Sequence, residues 1–519
     1  MHGPTTSAGG GAGAAARINL GYVWMISLVA AMGGLLFGYD WVVIGGAAKF
    51  YEAFFHLKDT ALNVAADASF WEKVKANAIS PVGWAQSCAL LGCLGGALIS
   101  GWLSDRFGRK PMLVLAALNF VVSSIGIAFA STFSVFVVWR ILGGVSIGLA
   151  SNISPMYISE IAPPERRGLL VAINQLTIVL GILAAQFVNW QIAQPVPAEL
   201  SAQLAGLASL KGAAHELAHD AYLTALAQTW NGATGWRWMF AACAVPSLLF
   251  LLGSLFVPES PRWLTKAGQF ARAEQILARI GGDDYARAEV TDIRATVAHE
   301  DKHVKFGELF ARGVLVVLGL GIFLAVFQQW CGINVIFNYA SEIFTQAGFN
   351  MNDALTNIVA TGVVNLVFVF VALGTVDRWG RKPLMLVGAA GLALVYIAIG
   401  FCYHVKTGGG TVPPLLFLVL VLAAIGIYSM SLAPVVWVLI SEIFPNRIRG
   451  TAMSIAVGAL WIGCFLLTYT FPIFKTLLGV SVTFWIYAGI CAVGFLVLLA
   501  KLPETKGKSL EQIERELAD

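Results

Sequence analysis

The sequence contains little charge. Only 12% of its 519 residues are Asp, Glu, Lys or Arg, whereas 58% are hydrophobic and the mean hydropathy is +0.76. Soluble domains carry roughly 25% charged residues, so this composition excludes a soluble protein and predicts an integral membrane protein. The net charge of +4 is small and gives no reason to expect a nucleic-acid partner.

Patterns that would indicate enzyme or cofactor chemistry are also missing. The seven cysteines lie in apolar segments without metal-ligand spacing, so we interpret them as packing residues and not as a disulfide framework. No nucleophile–base pair, metal cluster or phosphate loop falls within the apolar segments. The sequence therefore predicts no enzyme activity and no resident cofactor.

Residues 1–17 are rich in Gly, Ala, Ser and Thr and are predicted to be a disordered tail. A cleaved signal peptide is the alternative. The apolar run that follows is too long for a signal sequence and contains Asp40, which favours a first membrane span.

Long apolar segments are abundant. A spanning helix needs about 20 apolar residues, and by that measure the sequence predicts an all-α membrane protein with twelve spans. Their approximate limits are 20–48, 78–103, 111–130, 134–158, 168–193, 236–257, 313–345, 354–376, 383–404, 413–443, 450–471 and 480–502.

The predicted spans form two groups of six. Residues 258–312, between the groups, are rich in charged residues and are predicted to be a cytoplasmic helical linker that includes Ala271–Ile280. The chain then divides into a six-helix half at 18–257, a second six-helix half at 313–502 and a tail at 503–519.

Basic residues of the short loops are concentrated on one side of the predicted bundle. That side holds Arg106, Arg109, Lys110, Arg166, Arg167, Arg378, Arg381, Lys382, Arg447 and Arg449. The short loops of the other side hold only Lys406 and Lys475. We expect the basic side to be cytoplasmic, with both termini there. The longer outer segments are 49–77 and 194–235, and the second is predicted to form a helix over the outer face.

Three motifs recur in register in the two halves. They are Asp105–Pro111 with Asp377–Pro383, Ser159–Ile161 and Arg167–Gly168 with Ser441–Ile443 and Arg449–Gly450, and Pro258–Ser260 with Pro503–Thr505. Parallel repeats of this kind predict a substrate site between the halves, near the middle of the bilayer.

The recurring charges lie at the predicted cytoplasmic helix ends. They are Asp105, Arg106, Arg109, Glu160, Arg167, Asp377, Arg378, Arg381, Glu442 and Arg449. Two interpretations remain open. The basic residues can simply anchor the helix ends on the cytoplasmic side, or the opposite charges can pair and form a gate that locks the inner face closed.

Two isolated charges lie inside predicted spans. Asp40 is about 12 Å and Arg140 about 9 Å from the same outer end, so the two can pair. A carboxylate inside a membrane costs on the order of 3 kcal/mol and indicates function. One interpretation is a proton-coupling site that opens when Asp40 is protonated, and the other is a static ion pair.

The stretch Gln328–Tyr339 carries four amides and several aromatic rings but no charge. Since a polar side chain in hydrocarbon needs a partner, the pattern favours a helix that breaks at Gly332 and lines a polar cavity. Hydrogen bonding between helices is the alternative. Other midspan residues of this type are Gln175, Asn365, Trp437 and Trp461, of which Trp437 follows Pro434.

These motifs resemble those of the sugar porter family of the major facilitator superfamily, over about residues 20–515. The matching segments are Phe37–Asp40, the two Asp-Arg-x-Gly-Arg-Lys loops, Pro258–Leu264, Gln328–Tyr339 and Pro503–Gly507. Within the family, the chain resembles bacterial xylose–proton symporters first and facilitative glucose transporters second.

The resemblance implies alternating access by two rocking halves. It implies a sugar site built from Phe37, Gln175, Gln328, Gln329, Asn334, Tyr339, Asn365, Trp437 and Trp461. It also implies that Asp40 takes the proton beside Arg140, where facilitators of the family carry an amide in place of the aspartate. The chain departs from the xylose symporter pattern at Ile182, Asn338, Ala433 and Leu460, so the resemblance does not give the identity of the sugar.

The sequence thus predicts a monosaccharide–proton symporter, for a sugar such as D-xylose or D-glucose, in the inner membrane and active as a monomer. A proton-independent facilitator is one alternative, and Asp40 argues against it. A membrane sugar sensor is another, but the sequence predicts no large output domain after Pro503.

Overall fold

The computed structural model describes residues 18–57, 72, 80–163, 166–207, 213–300, 312–444 and 449–506. Within these ranges the chain is helical and contains no strand. The predicted tail at 1–17 and the end of the tail beyond residue 506 lie outside the described residues, as does most of the outer segment 49–77 after residue 57.

In the described residues, the first half and the linker contain eleven α-helices. They are α1 Leu20–Phe54, α2 Pro81–Phe107, α3 Arg109–Ala128, α4 Phe133–Ile161, α5 Arg167–Ile192, α6 Ala198–Leu207, α7 Ala213–Gln228, α8 Trp236–Ala241, α9 Ala244–Phe256, α10 Pro261–Lys266 and α11 Phe270–Glu300. A π-helical turn at Asn231–Gly235 leads into α8. The predicted outer helix is therefore two helices, α6 and α7.

The second half contains eight α-helices in the described residues. They are α12 Arg312–Trp330, α13 Ile333–Asn338, α14 Ala340–Ala347, α15 Met351–Trp379, α16 Arg381–Thr407, α17 Pro414–Met430, α18 Leu432–Ile443 and α19 Arg449–Lys501.

Eleven helical stretches of the described chain are long and apolar enough to cross a membrane. The last, Thr451–Lys501, has 51 residues and would be ~77 Å long if straight, nearly twice the thickness of a bilayer. Its backbone leaves the helical region at Gly479, where φ is 81°. Counted on either side of this break, α19 supplies two crossings, which gives the predicted twelve.

Helix ends follow local sequence signals. The Ser80 hydroxyl caps α2 by accepting from the backbone N–H of Gly83, with proline in the first turn. Gly108 and Gly380 have φ of 100° and 93°, and each separates two spanning helices at equivalent points of the repeat. A residue with a Cβ would be strained there, so glycine ends one helix and begins the next.

Helices of the first half approach each other closely at glycines. A Cβ on Gly38 would lie 1.8 Å from the carbonyl oxygen of Ile178, and one on Gly181 would lie 1.9 Å from that of Leu35. The α1 and α5 backbones are therefore in direct contact, as is common for membrane helices that pack through small residues.

Two helix pairs make the most extensive contacts between the halves, and α1 also touches α13 and α14. Helix α2 packs on α19, and α5 packs on α15. We call the helix ends around Gly108 and Gly380 the basic face, and the side that carries α6 and α7 the opposite face. Helices α1, α5, α12, α13, α15, α18 and α19 carry the predicted sugar-site residues except Tyr339, which directly follows α13.

Candidate transport site

The helix that carries Gln328–Tyr339 is broken twice. Helix α12 ends at Trp330, and Gly332 adopts a left-handed conformation with φ of 89° before α13 begins. This confirms the predicted break at Gly332. A second interruption at Tyr339 separates α13 from α14. Breaks inside a membrane helix free backbone groups and let side chains point into a cavity.

Three amides of this segment form one cluster. Gln328 donates from Nε2 to the carbonyl oxygens of Leu432 and Ala433, each at 3.2 Å. Gln329 donates to Gln328 Oε1 at 3.2 Å, and Asn334 donates to Gln329 Oε1. All three amides are nearly buried, at 2–7% exposure. The cluster therefore contacts α18, the short helix that also carries the predicted site residue Trp437.

An aromatic cluster crosses between the halves. The Trp461 ring of α19 lies 6.0 Å from the rings of both Phe37 and Trp41 on α1, and those two are 5.9 Å apart. The buried indole N–H of Trp461 has no hydrogen-bond partner in the described chain. Trp41 was not predicted as a site residue, although it lies one helical turn from Phe37 on the same face of α1.

The remaining predicted site residues are dispersed. Asn365 is buried on α15 and accepts from the Ser429 hydroxyl at 2.7 Å. Gln175 is half-buried on α5. Trp437 is 37% exposed, the most open of the predicted aromatic site residues.

Tyr339 makes contacts within the second half. Its hydroxyl donates to the carbonyl oxygen of Thr468 at 2.8 Å, and its ring lies 4.6 Å from Phe471. Asn338, beside it, belongs to a different environment. It lines a small cavity together with Arg140.

Asp40 and Arg140 form a buried ion pair. Arg140 Nη1 lies 3.1 Å from Asp40 Oδ1, and the side chains are 2% and 5% exposed respectively. The guanidinium also lies 5.5 Å from the centre of the Phe240 ring. An ion pair removed from water in this way is costly, so breaking it changes the local energy strongly.

The structure adds a buried side-chain hydrogen bond between the halves that was not predicted. Gln186 on α5 donates to the Thr361 hydroxyl on α15 at 3.2 Å, and its side chain is 2% exposed. Gln186 follows Gln175 by three helical turns and therefore lies on the same face of α5. That spacing is the sequence signal that could have identified it.

The four departures from the xylose symporter pattern all lie at or near these contacts. Ile182 is buried against the α1–α5 contact, Leu460 is buried beside Trp461, Ala433 accepts from Gln328, and Asn338 lines the cavity with Arg140.

At the basic face, the first half holds a compact charge network. Arg109 Nη2 and Nε donate to the two Glu160 carboxylate oxygens at 2.9 and 3.0 Å, and its Nη1 lies 3.0 Å from Asp105 Oδ1. Glu160 thus pairs with Arg109. Arg167, on the loop side of α5, is exposed.

The second half repeats this arrangement. Arg381 Nη2 lies 3.2 Å from Glu442 Oε1. Arg378 is exposed, like its counterpart Arg106, which lies against the rings of Trp102 and Phe107. The side chains of Asp377 and Arg449 lie outside what the structure describes.

The carboxylates of the third motif complete both networks. Glu259 accepts from the backbone N–H of Arg109 at 2.9 Å, and Glu504 accepts from that of Arg381 at 3.0 Å. Burial raises the pKa of Glu259, and its N–H donors oppose that rise only in part. Burial also acts on Glu504, but there the N–H donors outweigh it and the pKa is lowered.

Taken together, the twelve crossings, the two repeated halves and the polar groups between them define a membrane transporter of the major facilitator fold. The chain belongs to the sugar porter family. Residues 26–517 match the family described as "Sugar (and other) transporter", and this membership also bears out the prediction that the protein is not an enzyme.

Known proteins resemble the chain over nearly its whole length. It is 36% identical to the D-xylose-proton symporter of Escherichia coli K12, covering 96% of both chains, and 34% identical to the glucose facilitated diffusion protein of Zymomonas mobilis, covering 95% of this chain and 97% of the relative. The inward-open structure of the E. coli xylose transporter XylE superposes with a TM-score of 0.77 at 35% identity, covering 95% of this chain and 99% of that one.

Proposed function

We propose that the protein is a monosaccharide–proton symporter that works by alternating access between its two halves. The buried Asp40–Arg140 pair carries this proposal. A carboxylate inside the bundle that is held by a single guanidinium can take up a proton when the pair opens, and it then couples proton entry to a rearrangement of helices α1 and α4.

The proposed sugar site is the space beside the amide cluster and the aromatic cluster. Buried amides supply both donors and acceptors for sugar hydroxyls, and the Trp461 ring offers an apolar face for a sugar ring. Gln175, Asn365, Trp437, Phe37 and Tyr339 belong to the proposal as flanking contacts. D-xylose and D-glucose are the first substrates to test, since relatives are named for them.

We further propose that the basic face is cytoplasmic in an inner membrane, with both termini on that side. The protein works as a monomer with the two six-helix halves 18–257 and 313–502 joined by the linker 258–312, and needs no cofactor besides the coupling proton. The charge networks around Arg109 and Arg381 are proposed as basic-face gates.

The test is uptake of labelled D-xylose, D-glucose and inositol by the full chain in liposomes, with and without a pH gradient. The wild type should accumulate one of these sugars only with the gradient. Asp40→Asn should abolish accumulation, at least about 100-fold, while keeping exchange of sugar down its gradient.

Three results would contradict the proposal. Accumulation unchanged in Asp40→Asn would remove the role of the aspartate. Uptake that never exceeds equilibrium in the wild type would make the protein a facilitator. Sugar binding without any movement across the membrane would make it a sensor.

A further inference from the structure

Gln86 is a buried amide that the site described above leaves unused. It lies on α2, is 3% exposed, and neither its Nε2 nor its Oε1 has a hydrogen-bond partner in the described chain. The Tyr51 hydroxyl is the neighbouring group that could hydrogen-bond with Gln86, but the two side chains do not meet hydrogen-bond geometry in this structure. A buried amide with both ends unpaired is rare and calls for an explanation.

The amide lines the same cavity as the ion pair and the broken helix. This cavity has a volume of about 10 Å³, and its polar lining comes from Gln86, Arg140 and Asn338, with the Trp41 ring on one side. That is enough room for one water, and three polar groups are the usual number of partners for a buried water. Gln86 and Arg140 belong to the first half and Asn338 to the second, so the cavity lies on the boundary between them.

Arg140 is only partly engaged by Asp40. Its Nη1 contacts Asp40 Oδ1, but its Nε and the second carboxylate oxygen, Asp40 Oδ2, have no hydrogen-bond partner in the described chain. When Asp40 takes up a proton from the aqueous side it becomes a neutral acid, and Arg140 stays a cation. A buried guanidinium then needs another acceptor, and Gln86 Oε1 is an acceptor that lines the cavity beside it.

An amide can pass this change on because it accepts at one end and donates at the other. With Oε1 bound to Arg140, the Gln86 Nε2 can donate to Asn338 Oδ1, directly or through the water. Asn338 ends α13, where the α1 backbone approaches closely. A Cβ on Gly45 would lie 2.5 Å from the Phe337 carbonyl oxygen and 3.1 Å from that of Asn338.

We propose that Gln86 is a positioning residue that responds, through Arg140, to the protonation of Asp40. It passes this change to Asn338 on the broken helix, and thereby couples protonation to closure of the opposite face. The inference rests on the proposed proton symport. It also gives a reason for asparagine at 338, since a small amide leaves room for the cavity and offers the acceptor that the link needs.

Other titratable side chains surround the ion pair and would share in any pH dependence. They are Tyr39, Tyr51, Cys88, Cys93 and Cys243. None of them is changed in the variants below, so a difference between variants reports on Gln86.

The experiment compares Gln86→Leu with the wild type in liposomes, using labelled D-xylose and D-glucose. Leucine keeps the volume but neither accepts nor donates. Asn119→Leu is the matched control, because the Asn119 amide donates to the Leu142 carbonyl oxygen at 2.8 Å within the first half and does not line the cavity. Sugar exchange, accumulation under a pH gradient, and the pH profile of exchange are measured for each protein.

Gln86→Leu should keep its exchange rate within about twofold but accumulate about tenfold less sugar, the size of a typical coupling between two sites. Its exchange profile should move to lower pH by roughly one unit, because the link favours the protonated state of Asp40. Asn119→Leu should match the wild type. Asn338→Leu should reproduce the Gln86→Leu defect, and the double variant should be no worse than either single one.

Several outcomes would overturn the inference. Unchanged accumulation and an unchanged pH profile in Gln86→Leu would make Gln86 a packing residue, and a raised KM with full accumulation would make it a sugar contact. If the leucine variant does not fold, Gln86→Met replaces it, and additive defects in the Gln86→Met and Asn338→Leu pair would refute the link. If the wild type accumulates no sugar, the symport proposal fails, and the link fails with it.

Discussion

The two faces of the molecule are held together in different ways. Near the opposite face, polar contacts cross from one half to the other. They are Gln186 to Thr361, the Trp190 indole to Thr356, the Val196 N–H to Asn352, and the Ser341 hydroxyl to the Gly45 carbonyl oxygen. At the basic face, the pairs Arg109–Glu160 and Arg381–Glu442 each stay inside one half.

This difference indicates which state the structure represents. The halves are joined at the opposite face, and the described charge networks at the basic face stabilise each half by itself. Alternating access requires the cross-half contacts to break in the other state, so their strength sets the balance between the two.

The largest effect is expected where the halves touch through backbone. In Gly45→Val, the new Cβ would lie 2.5 Å from the Phe337 carbonyl oxygen. Relieving this clash requires the backbone to move, which costs free energy. The clash would disfavour the closed state of the opposite face by about 3 kcal/mol, and sugar exchange would fall about 100-fold. A Ser341→Cys reporter, which is 6% exposed at this contact, should become reactive towards an impermeant thiol reagent.

The control is Gly95→Val, because a Cβ at Gly95 meets no atom of the described chain within 4 Å. All seven native cysteines are buried and should contribute little background labelling. If Gly45→Val exchanged sugar at the wild-type rate with the reporter still protected, the closed opposite face would not be part of the transport cycle.

The next prediction tests whether the charge networks of the basic face act independently of the contacts between the halves. Arg109→Lys keeps the charge but loses the paired hydrogen bonds to Glu160, whose side chain is 6% exposed. Breaking such a buried pair should lower the free energy of unfolding by about 3 kcal/mol. The measurement is the thermal unfolding of each variant. Arg381→Lys should cost less, because that pair is 15% and 23% exposed.

Since these networks lie within single halves, Arg109→Lys should leave the reactivity of the Ser341→Cys reporter unchanged in this state. Arg106→Lys is the control on the same loop, where the exposed side chain lies against Trp102. Equal destabilisation by Arg106→Lys and Arg109→Lys would show that loss of a guanidinium anywhere on this loop, and not the paired geometry with Glu160, accounts for the effect.

The fold could be predicted from the sequence because its signals are long and repeated. Apolar runs gave the spans, the three recurring motifs gave the two halves, and Gly332 gave the helix break. The span limits were less exact. The first helix runs to Phe54 and not to about residue 48, and the last two spans share one helix broken only at Gly479. Length and hydropathy alone do not show whether two successive spans belong to one helix.

The site was predicted less completely, because pairing depends on three-dimensional packing. The sequence placed Glu160 among the charges at the helix ends without assigning its partner, which is the α3 residue Arg109. Three residues near the site were not predicted, Trp41, Gln86 and Gln186. Each is a single polar or aromatic residue in a long apolar span. The pairing of Asp40 with Arg140 was accessible only because two isolated charges at equal depth have few other partners.

A smaller effect is expected at the buried bond between the halves. Gln186→Leu removes the donor to Thr361 and should weaken closure by about 1 kcal/mol, or roughly fivefold in the balance between states. Reporter labelling at Ser341→Cys should rise accordingly. Thr356→Val, which removes the exposed partner of Trp190, is the control and should change labelling much less. An equal rise in both would mean that burial of the bond does not matter.

The smallest effect tests whether the two repeated networks respond alike to pH. Glu259 has a pKa raised above its ordinary value of 4.5, so its stabilising contribution is present at low pH and is lost as pH rises through the raised pKa. Glu504 has a lowered pKa, so its contribution is present above pH 4.5 and is lost as pH falls towards the lowered pKa. Thermal unfolding of the wild type, Glu259→Gln and Glu504→Gln between pH 3 and 8 should then show opposite trends. The wild type should lose stability relative to Glu259→Gln with rising pH, and relative to Glu504→Gln with falling pH. Parallel trends would mean that the two carboxylates, which occupy equivalent positions of the repeated motif, also share one kind of electrostatic environment.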